Sequence, residues 1–145
     1  MDDMSCATVE RWLQKASNDL RTAQTMLSVE PPTTDTISFH AQQCVEKVLK
    51  AYLSWRNIQV EPTHYLPRLV ELCAAVAPAF QELRETAVAL TDYAVNARYP
   101  DDWTEIQVEE AKEAVAKAHD AAVFVARALR AEKYPGKSFF DEKPY

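Results

Sequence analysis

The sequence predicts an all-α fold, and three observations support that prediction. The 145 residues include one glycine, Gly136, so glycine-rich phosphate loops, glycine-supplied hairpin turns and the dinucleotide-binding fingerprint are excluded by count. Apolar residues recur at steps of three and four along most of the chain, which is the helical period. Prolines fall between these periodic segments, where they end helices. We therefore expect an up-and-down bundle of about five antiparallel helices joined by short loops.

The stretch Thr36–Asn57 is predicted to be the central helix of that bundle, because it contains neither Gly nor Pro. Six apolar residues recur on one of its faces: Ile37, Ala41, Cys44, Val48, Ala51 and Trp55. Phe39, Leu49 and Leu53 lie on another side, so we expect more than one neighbouring element to pack against this helix. It is either the centre of the bundle or part of a dimer seam.

A polar line runs beside that apolar face and not opposite it, and consists of His40, Gln43, Lys47 and Lys50. A polar line in this position is expected to be half-buried, and it can line a groove. Two interpretations are open for the lysines. Their stems can cover apolar surface while the ammonium groups stay in water, or the ammonium groups can bind a ligand.

Helices are also predicted on both sides of the central one. The first covers Thr8–Ser28, with Ser5 or Thr8 as its N-cap, and the two prolines of the segment VEPPTTD end it. Its inward stripe is Val9, Trp12, Ala16, Leu20, Ala23 and Leu27. Another helix begins near Thr63–Pro67 and is closed by Pro78.

The last two helices are predicted in the C-terminal half. One helix carries Phe80 and continues to the segment 96–100, where Pro100 disfavours helical geometry in the preceding residue. The other opens with Thr104–Gln107, which matches a capping box. Its seam is Val108, Ala111, Val115, Ala118, Ala122, Val125 and Leu129. We expect one helical domain over residues 1–133 and a flexible or docked tail over 134–145.

Charge and composition exclude several classes of protein. The net charge of −6 and the pI near 5.1 argue against duplex DNA as a partner, although a small basic pocket remains compatible with them. The acidic start resembles no signal peptide, and no apolar run is long enough for a membrane span, so a cytoplasmic protein without a membrane partner is expected. Cys44 and Cys73 occupy apolar helical positions and are expected to be buried, reduced thiols.

The sequence predicts neither a metal site nor a cofactor. His40, His64 and His119 are far apart in the chain and belong to no known metal-ligand spacing, and no Ser or Cys lies in a nucleophile elbow. A second polar grouping contains Arg98, Tyr99 and Trp103. Arg98 can cap a helix C-terminus, or a guanidinium beside aromatic rings can bind phosphate and bases.

Four short motifs, taken together, resemble the HEPN domain. They are Trp12 with Ala16, Asp19 and Leu20; Phe39–Gln43 with Glu46, Lys47 and Leu49–Ala51; Thr63, His64, Leu66 and Leu69; and Arg98–Asp101. The resemblance covers roughly Val9 to Leu129. It implies a helical bundle that commonly forms homodimers and is often paired with a small nucleotidyltransferase in a toxin–antitoxin module.

Many HEPN proteins are metal-independent ribonucleases with a histidine four to six residues after an arginine. No arginine of this chain has a histidine at that spacing, so the ribonuclease does not follow from the resemblance. The Arg-Tyr-Pro-Asp form is similar to the branch described as binding nucleotides, such as ATP or GTP.

We therefore expect a binding module rather than an enzyme. Its candidate nucleotide-binding residues are His40, Gln43, Lys47, Lys50, His64, Arg98, Tyr99 and Asp101. Two alternatives are a ribonuclease toxin with a non-standard active site, such as Arg98, His64 and Tyr99, and a structural bundle that dimerises without a ligand.

Overall fold

The computed structural model describes residues 3–94 and 105–140, and these form an all-α bundle. The five α-helices are α1 (Asp3–Met26), α2 (Thr34–Trp55), α3 (Leu66–Val76), α4 (Arg84–Leu90) and α5 (Val108–Ala131). Two 3₁₀ turns, Pro78–Leu83 and Thr91–Ala94, flank α4. The prediction of an all-α bundle is confirmed.

Helix α2 is the centre of the bundle, as its periodicity predicted. It packs against each of the other four helices. All six residues of its predicted apolar face are buried, and Leu49 and Leu53 on its other side are fully buried as well. Because α2 has neighbours on several sides, its polar residues also lie between helices.

Helix α1 lies against α2 and differs from the prediction at two points. It begins at Asp3, so Ser5 and Thr8 lie inside its first turns and neither is the N-cap. Its buried stripe includes Leu13, while Trp12 is only partly buried. At this turn of α1 the buried residue is Leu13 and not the predicted Trp12. Trp12 lies at the edge of the α1–α2 interface.

The fourth predicted helix is not one continuous α-helix, and the prediction of a regular helix here was wrong. Within residues 78–94 only Arg84–Leu90 is α-helical, between the two 3₁₀ turns, and the predicted end of this helix at 96–100 lies outside the described residues. Tertiary contacts explain the interruption. Phe80 in the first turn packs against Tyr52 and Phe124 with ring-centroid distances of 4.3 and 5.1 Å. In the second turn the hydroxyl of Thr91 accepts the backbone N–H of Leu66 at 3.1 Å, which satisfies a donor at the start of α3.

The N-terminus of α5 also differs from the prediction. Gln107 is the N-cap, with extended backbone and no side-chain capping bond, and so is not the third helical residue that the predicted capping box requires. Thr104, the other residue of that box, lies outside the described residues. Six of the seven residues predicted for the α5 seam are buried, and Val108 is only partly buried. The six are Ala111, Val115, Ala118, Ala122, Val125 and Leu129. These small residues allow α5 to lie close to α2.

Helices α2 and α5 both end in a Schellman motif, although neither has a glycine there. After α2, Asn57 has a φ of 58°, and the N–H of Ile58 donates to the carbonyl of Leu53 at 2.9 Å. After α5, Lys133 has a φ of 65°, and the N–H of Tyr134 donates to the carbonyl of Leu129 at 2.9 Å. The second motif turns the tail back onto the bundle.

The tail packs on the bundle as far as the structure describes it. Tyr134 meets the ring of Trp55 edge-on at 5.6 Å, and Phe140 is buried. Gly136 lies so close to Tyr134 that an added Cβ would fall 2.1 Å from the tyrosine oxygen, so a larger residue here would displace the Tyr134 ring. The single glycine of the chain therefore permits a close approach within the tail.

Two cysteines are buried, as predicted. Cys44 and Cys73 are fully buried and form no disulfide. Burial raises the pKa of Cys73 to about 12 and raises the pKa of Cys44 further, because a thiolate is poorly solvated in the core. Both thiols are inert packing groups. Among the helices of the described residues, none is both long enough and apolar enough to span a bilayer.

Candidate functional site

Two buried carboxylates organise the polar line of α2, and Asp19 of α1 is the first. Its side chain contacts Nδ1 of His40 at 2.8 Å and Nζ of Lys47 at 2.5 Å. His40 and Lys47 both belong to α2 and are seven positions apart, so they lie on one line of the helix. Asp19 itself is only 8% exposed. The α1–α2 interface thus contains a His–Asp–Lys cluster at its edge.

Glu46 is the second carboxylate, and it lies within α2. It contacts Nζ of Lys50 at 3.0 Å, one helical turn away, and Nδ1 of His64 at 2.8 Å, in the loop before α3. Glu46 is 3% exposed and Lys50 is 5% exposed. This His–Glu–Lys cluster repeats the chemistry of the first one on a neighbouring line of the same helix.

Two glutamines join the second cluster to the loop before α3. The fully buried amide of Gln42 donates to the backbone carbonyl of His64 at 3.2 Å and to Glu46 at 3.4 Å. Gln43 donates to the side-chain oxygen of Gln42 at 2.7 Å. The backbone of His64 is therefore fixed from α2, while its carboxylate partner fixes the ring.

The side chains of the two clusters differ in their exposure to solvent. The side chain of His64 is 69% exposed, whereas His40 is 27%, Lys47 is 21% and Lys50 is 7% exposed. A ligand at this surface could contact most of the His64 side chain, but only the small exposed parts of His40 and Lys47. Lys50 is enclosed, and its ammonium group also lies 5.7 Å from the ring centroid of Trp12.

The contacts determine which ring nitrogens are available. Each of these carboxylate oxygens serves as a hydrogen-bond acceptor, so we assign Nδ1 of each histidine as the donor. Nε2 of His40 and His64 has no hydrogen-bond partner among residues 3–94 and 105–140. An imidazole held in this way can bind a polar ligand, or accept and return a proton at Nε2.

The charges of this surface nearly cancel. Two ammonium groups face two carboxylates, so the cluster is neutral when both imidazoles are neutral. Neither of the two interpretations of the lysines describes Lys50, which is buried and paired with Glu46. Recognition at this surface would depend on oriented hydrogen bonds more than on excess positive charge.

The predicted site residues fall into two groups. The structure brings together His40, Gln43, Lys47, Lys50 and His64 along one side of α2. Arg98, Tyr99 and Asp101 lie outside the described residues, as does Trp103. No group of three or more His, Cys, Asp or Glu side chains within the described residues is arranged to hold a metal ion.

Three residues of the two clusters were not predicted as site residues: Asp19, Gln42 and Glu46. Two signals were present. Glu46 and Lys50 have the spacing of a helical ion pair. Asp19 lies three residues after Ala16 and four before Ala23, so an acidic side chain occupies the buried face of α1. A buried carboxylate requires cationic or hydrogen-bonding partners, and the polar line of α2 provides them.

Comparison with known protein families identifies this fold. The family model of the HEPN domain matches residues 9–129, which include α2 and both carboxylates. The chain belongs to the HEPN family. The crystal structure of TT1696 from Thermus thermophilus is similar, with a TM-score of 0.71 and 29% sequence identity. The match covers 83% of this chain and 98% of that one. A comparison with curated proteins finds no match.

Proposed function

We propose that this HEPN chain is a nucleotide-binding interaction module whose ligand contacts the polar face of α2. One observation carries the proposal: two buried carboxylates hold two histidines with Nε2 directed away from the carboxylates and part of each ring at the surface. A buried ion pair adds little net stability compared with apolar side chains of the same size. Two such pairs on one helix face are therefore better explained by the surface groups that they orient.

The exposures assign different roles to the five described residues. His64, His40 and Lys47 would contact the ligand, because their side chains reach the surface. Gln43 and Lys50 would hold Gln42 and Glu46 in place behind them. Since the described cluster is close to neutral, the phosphate charge requires a further cation, and Arg98 of the Arg-Tyr-Pro-Asp segment is our candidate. Tyr99 and Asp101 belong to the same proposed site.

The family resemblance supports the partners in this proposal. HEPN proteins commonly form homodimers and are often paired with a small nucleotidyltransferase, and we propose both associations for this chain. A homodimer would bring two α2 polar faces into one assembly. Light scattering that finds a dimer would support the module, and a strictly monomeric chain would contradict this part of the proposal.

Calorimetry with ATP and GTP tests the binding function directly. We expect His64→Ala to weaken binding about tenfold or more, because a hydrogen bond to a charged group is lost. The double variant Lys47→Ala with Arg98→Ala should weaken it further, since two cations are removed. His119→Ala is the matched control, because His119 is a partly exposed histidine of α5 that pairs with the adjacent Asp120. Absence of nucleotide binding by the unmodified chain at millimolar concentration would refute the proposal.

A ribonuclease is the second candidate function, and the His64–Glu46 pair favours it. The imidazole is oriented through Nδ1 and its other nitrogen faces solvent, which is the arrangement of a general acid or base. Cleavage of RNA by the unmodified chain should then be lost in His64→Asn and retained in His119→Asn. Intact RNA after incubation with the unmodified chain, and no growth defect when the protein is expressed in a bacterium, would refute this candidate.

A further inference from the structure

A small cleft lies along one face of α1. It has a volume of about 230 Å³ and is lined by Thr8, Arg11, Trp12 and Lys15. These four residues are spaced by three, one and three positions, so they share one face of the helix. Drug-sized ligands occupy pockets of roughly 300–1,000 Å³, so this cleft is large enough for one ring system and not for a whole ligand of that size.

The two cations of the cleft differ from those of the α2 polar face. Lys47 and Lys50 each contact a buried carboxylate. Arg11 and Lys15 are exposed, and neither forms an ion pair with a carboxylate of the described residues. Their charges remain available to an anion, although the chain as a whole has a net charge of −6.

Trp12 supplies an aromatic surface between these cations. It is partly buried against the core, and the ammonium group of Lys50 lies 5.7 Å from its ring centroid. Lys50 contacts Glu46, and Glu46 contacts His64. The cleft is thus connected to the His–Glu–Lys cluster through one lysine, and the two can belong to one extended binding surface.

We infer that the Trp12 cleft is a nucleotide subsite, in which a base stacks on the indole of Trp12 and a phosphate binds Arg11 and Lys15. Aromatic side chains accept any base by stacking, and arginine and lysine are the usual phosphate ligands. This inference rests on the proposed nucleotide-binding function and adds the position of the base and of one phosphate, besides the phosphate assigned to Arg98. It also explains why Trp12 stands at the edge of the α1–α2 interface and not within it.

The test measures separately how the base and the phosphate contribute to binding. Calorimetry is performed with AMP, with adenosine and with ribose 5-phosphate, on the full chain. We expect AMP to bind more tightly than either fragment. Arg11→Ala with Lys15→Ala should weaken AMP and ribose 5-phosphate and leave adenosine unchanged. Trp12→Leu should weaken AMP about tenfold, because stacking on the indole is lost.

Two controls make the result decisive. Lys112→Ala with Lys117→Ala removes the same charge from α5 and should leave AMP binding unchanged. The Arg11 and Lys15 side chains are at the surface, so their double variant reports on the cleft even if Trp12→Leu unfolds. AMP binding that survives both cleft variants but is weakened by His64→Ala would overturn this inference and leave the proposed function standing. Absence of AMP, ATP and GTP binding by the unmodified chain would overturn both.

Discussion

Replacing Glu46 with glutamine is expected to lower the free energy of unfolding by about 3–5 kcal/mol. Glu46 is 3% exposed and neutralises Lys50, which is 5% exposed. Without the carboxylate, the lysine becomes a buried charge with no opposite charge beside it, while the substituted amide keeps nearly the same shape. The Nδ1 hydrogen of His64 also exchanges a charged carboxylate acceptor for a weaker, neutral amide oxygen. Urea denaturation followed by circular dichroism measures the loss.

Two further variants show whether the unpaired charge of Lys50 causes the loss of stability in Glu46→Gln. Glu113→Gln removes a carboxylate with the same one-turn spacing from its lysine, but Glu113 is 66% exposed, so the expected cost is under about 1 kcal/mol. Adding Lys50→Met to Glu46→Gln should restore much of the lost stability, because the unpaired charge is removed. A loss of less than about 1 kcal/mol in Glu46→Gln would mean that Lys50 is adequately solvated without its partner.

The central helix could be predicted from the sequence because its determinants are local. Steps of three and four among apolar residues place them on one helix face wherever the helix lies, and Ile37, Ala41 and Val48 are fully buried as that rule requires. The same rule placed the polar line beside the apolar face. A half-buried polar line was therefore predictable before any tertiary contact was known.

The partners of that polar line could not be predicted in the same way. Asp19 and His40 are 21 positions apart, and Glu46 and His64 are 18 apart, in different elements. Which carboxylate meets which histidine depends on how α1 and the loop before α3 lie against α2. Among the ion pairs of the two clusters, only that of Glu46 with Lys50 follows from helical spacing alone. Both lysines were visible in the sequence, but the pairing of Lys47 with Asp19 was not.

The broken fourth helix has a similar explanation. Phe80, Leu83, Ala87 and Leu90 are buried and recur at helical spacing, so periodicity predicts one continuous helix. Short 3₁₀ turns have three residues per turn and preserve much of that spacing, so the two conformations give nearly the same pattern. The distinction comes from tertiary contacts, above all those of Phe80 and Thr91.

Phe80→Ala is the second large effect that we expect, with a loss of about 3–5 kcal/mol in the free energy of unfolding. The ring is 1% exposed and lies between Tyr52 of α2 and Phe124 of α5. Its removal leaves a cavity among three elements, and the 3₁₀ turn that carries Phe80 has few other means of contacting the core.

The control for this cavity is Val88→Ala in α4, where the side chain is 55% exposed, and it should change stability by no more than about 0.5 kcal/mol. Urea denaturation of both variants compares the two positions. A small loss in Phe80→Ala would mean that the turn collapses to fill the space, and that its conformation is not fixed by this ring. A large loss would show instead that the contacts of this ring with Tyr52 and Phe124 hold the Pro78–Leu83 turn against the core.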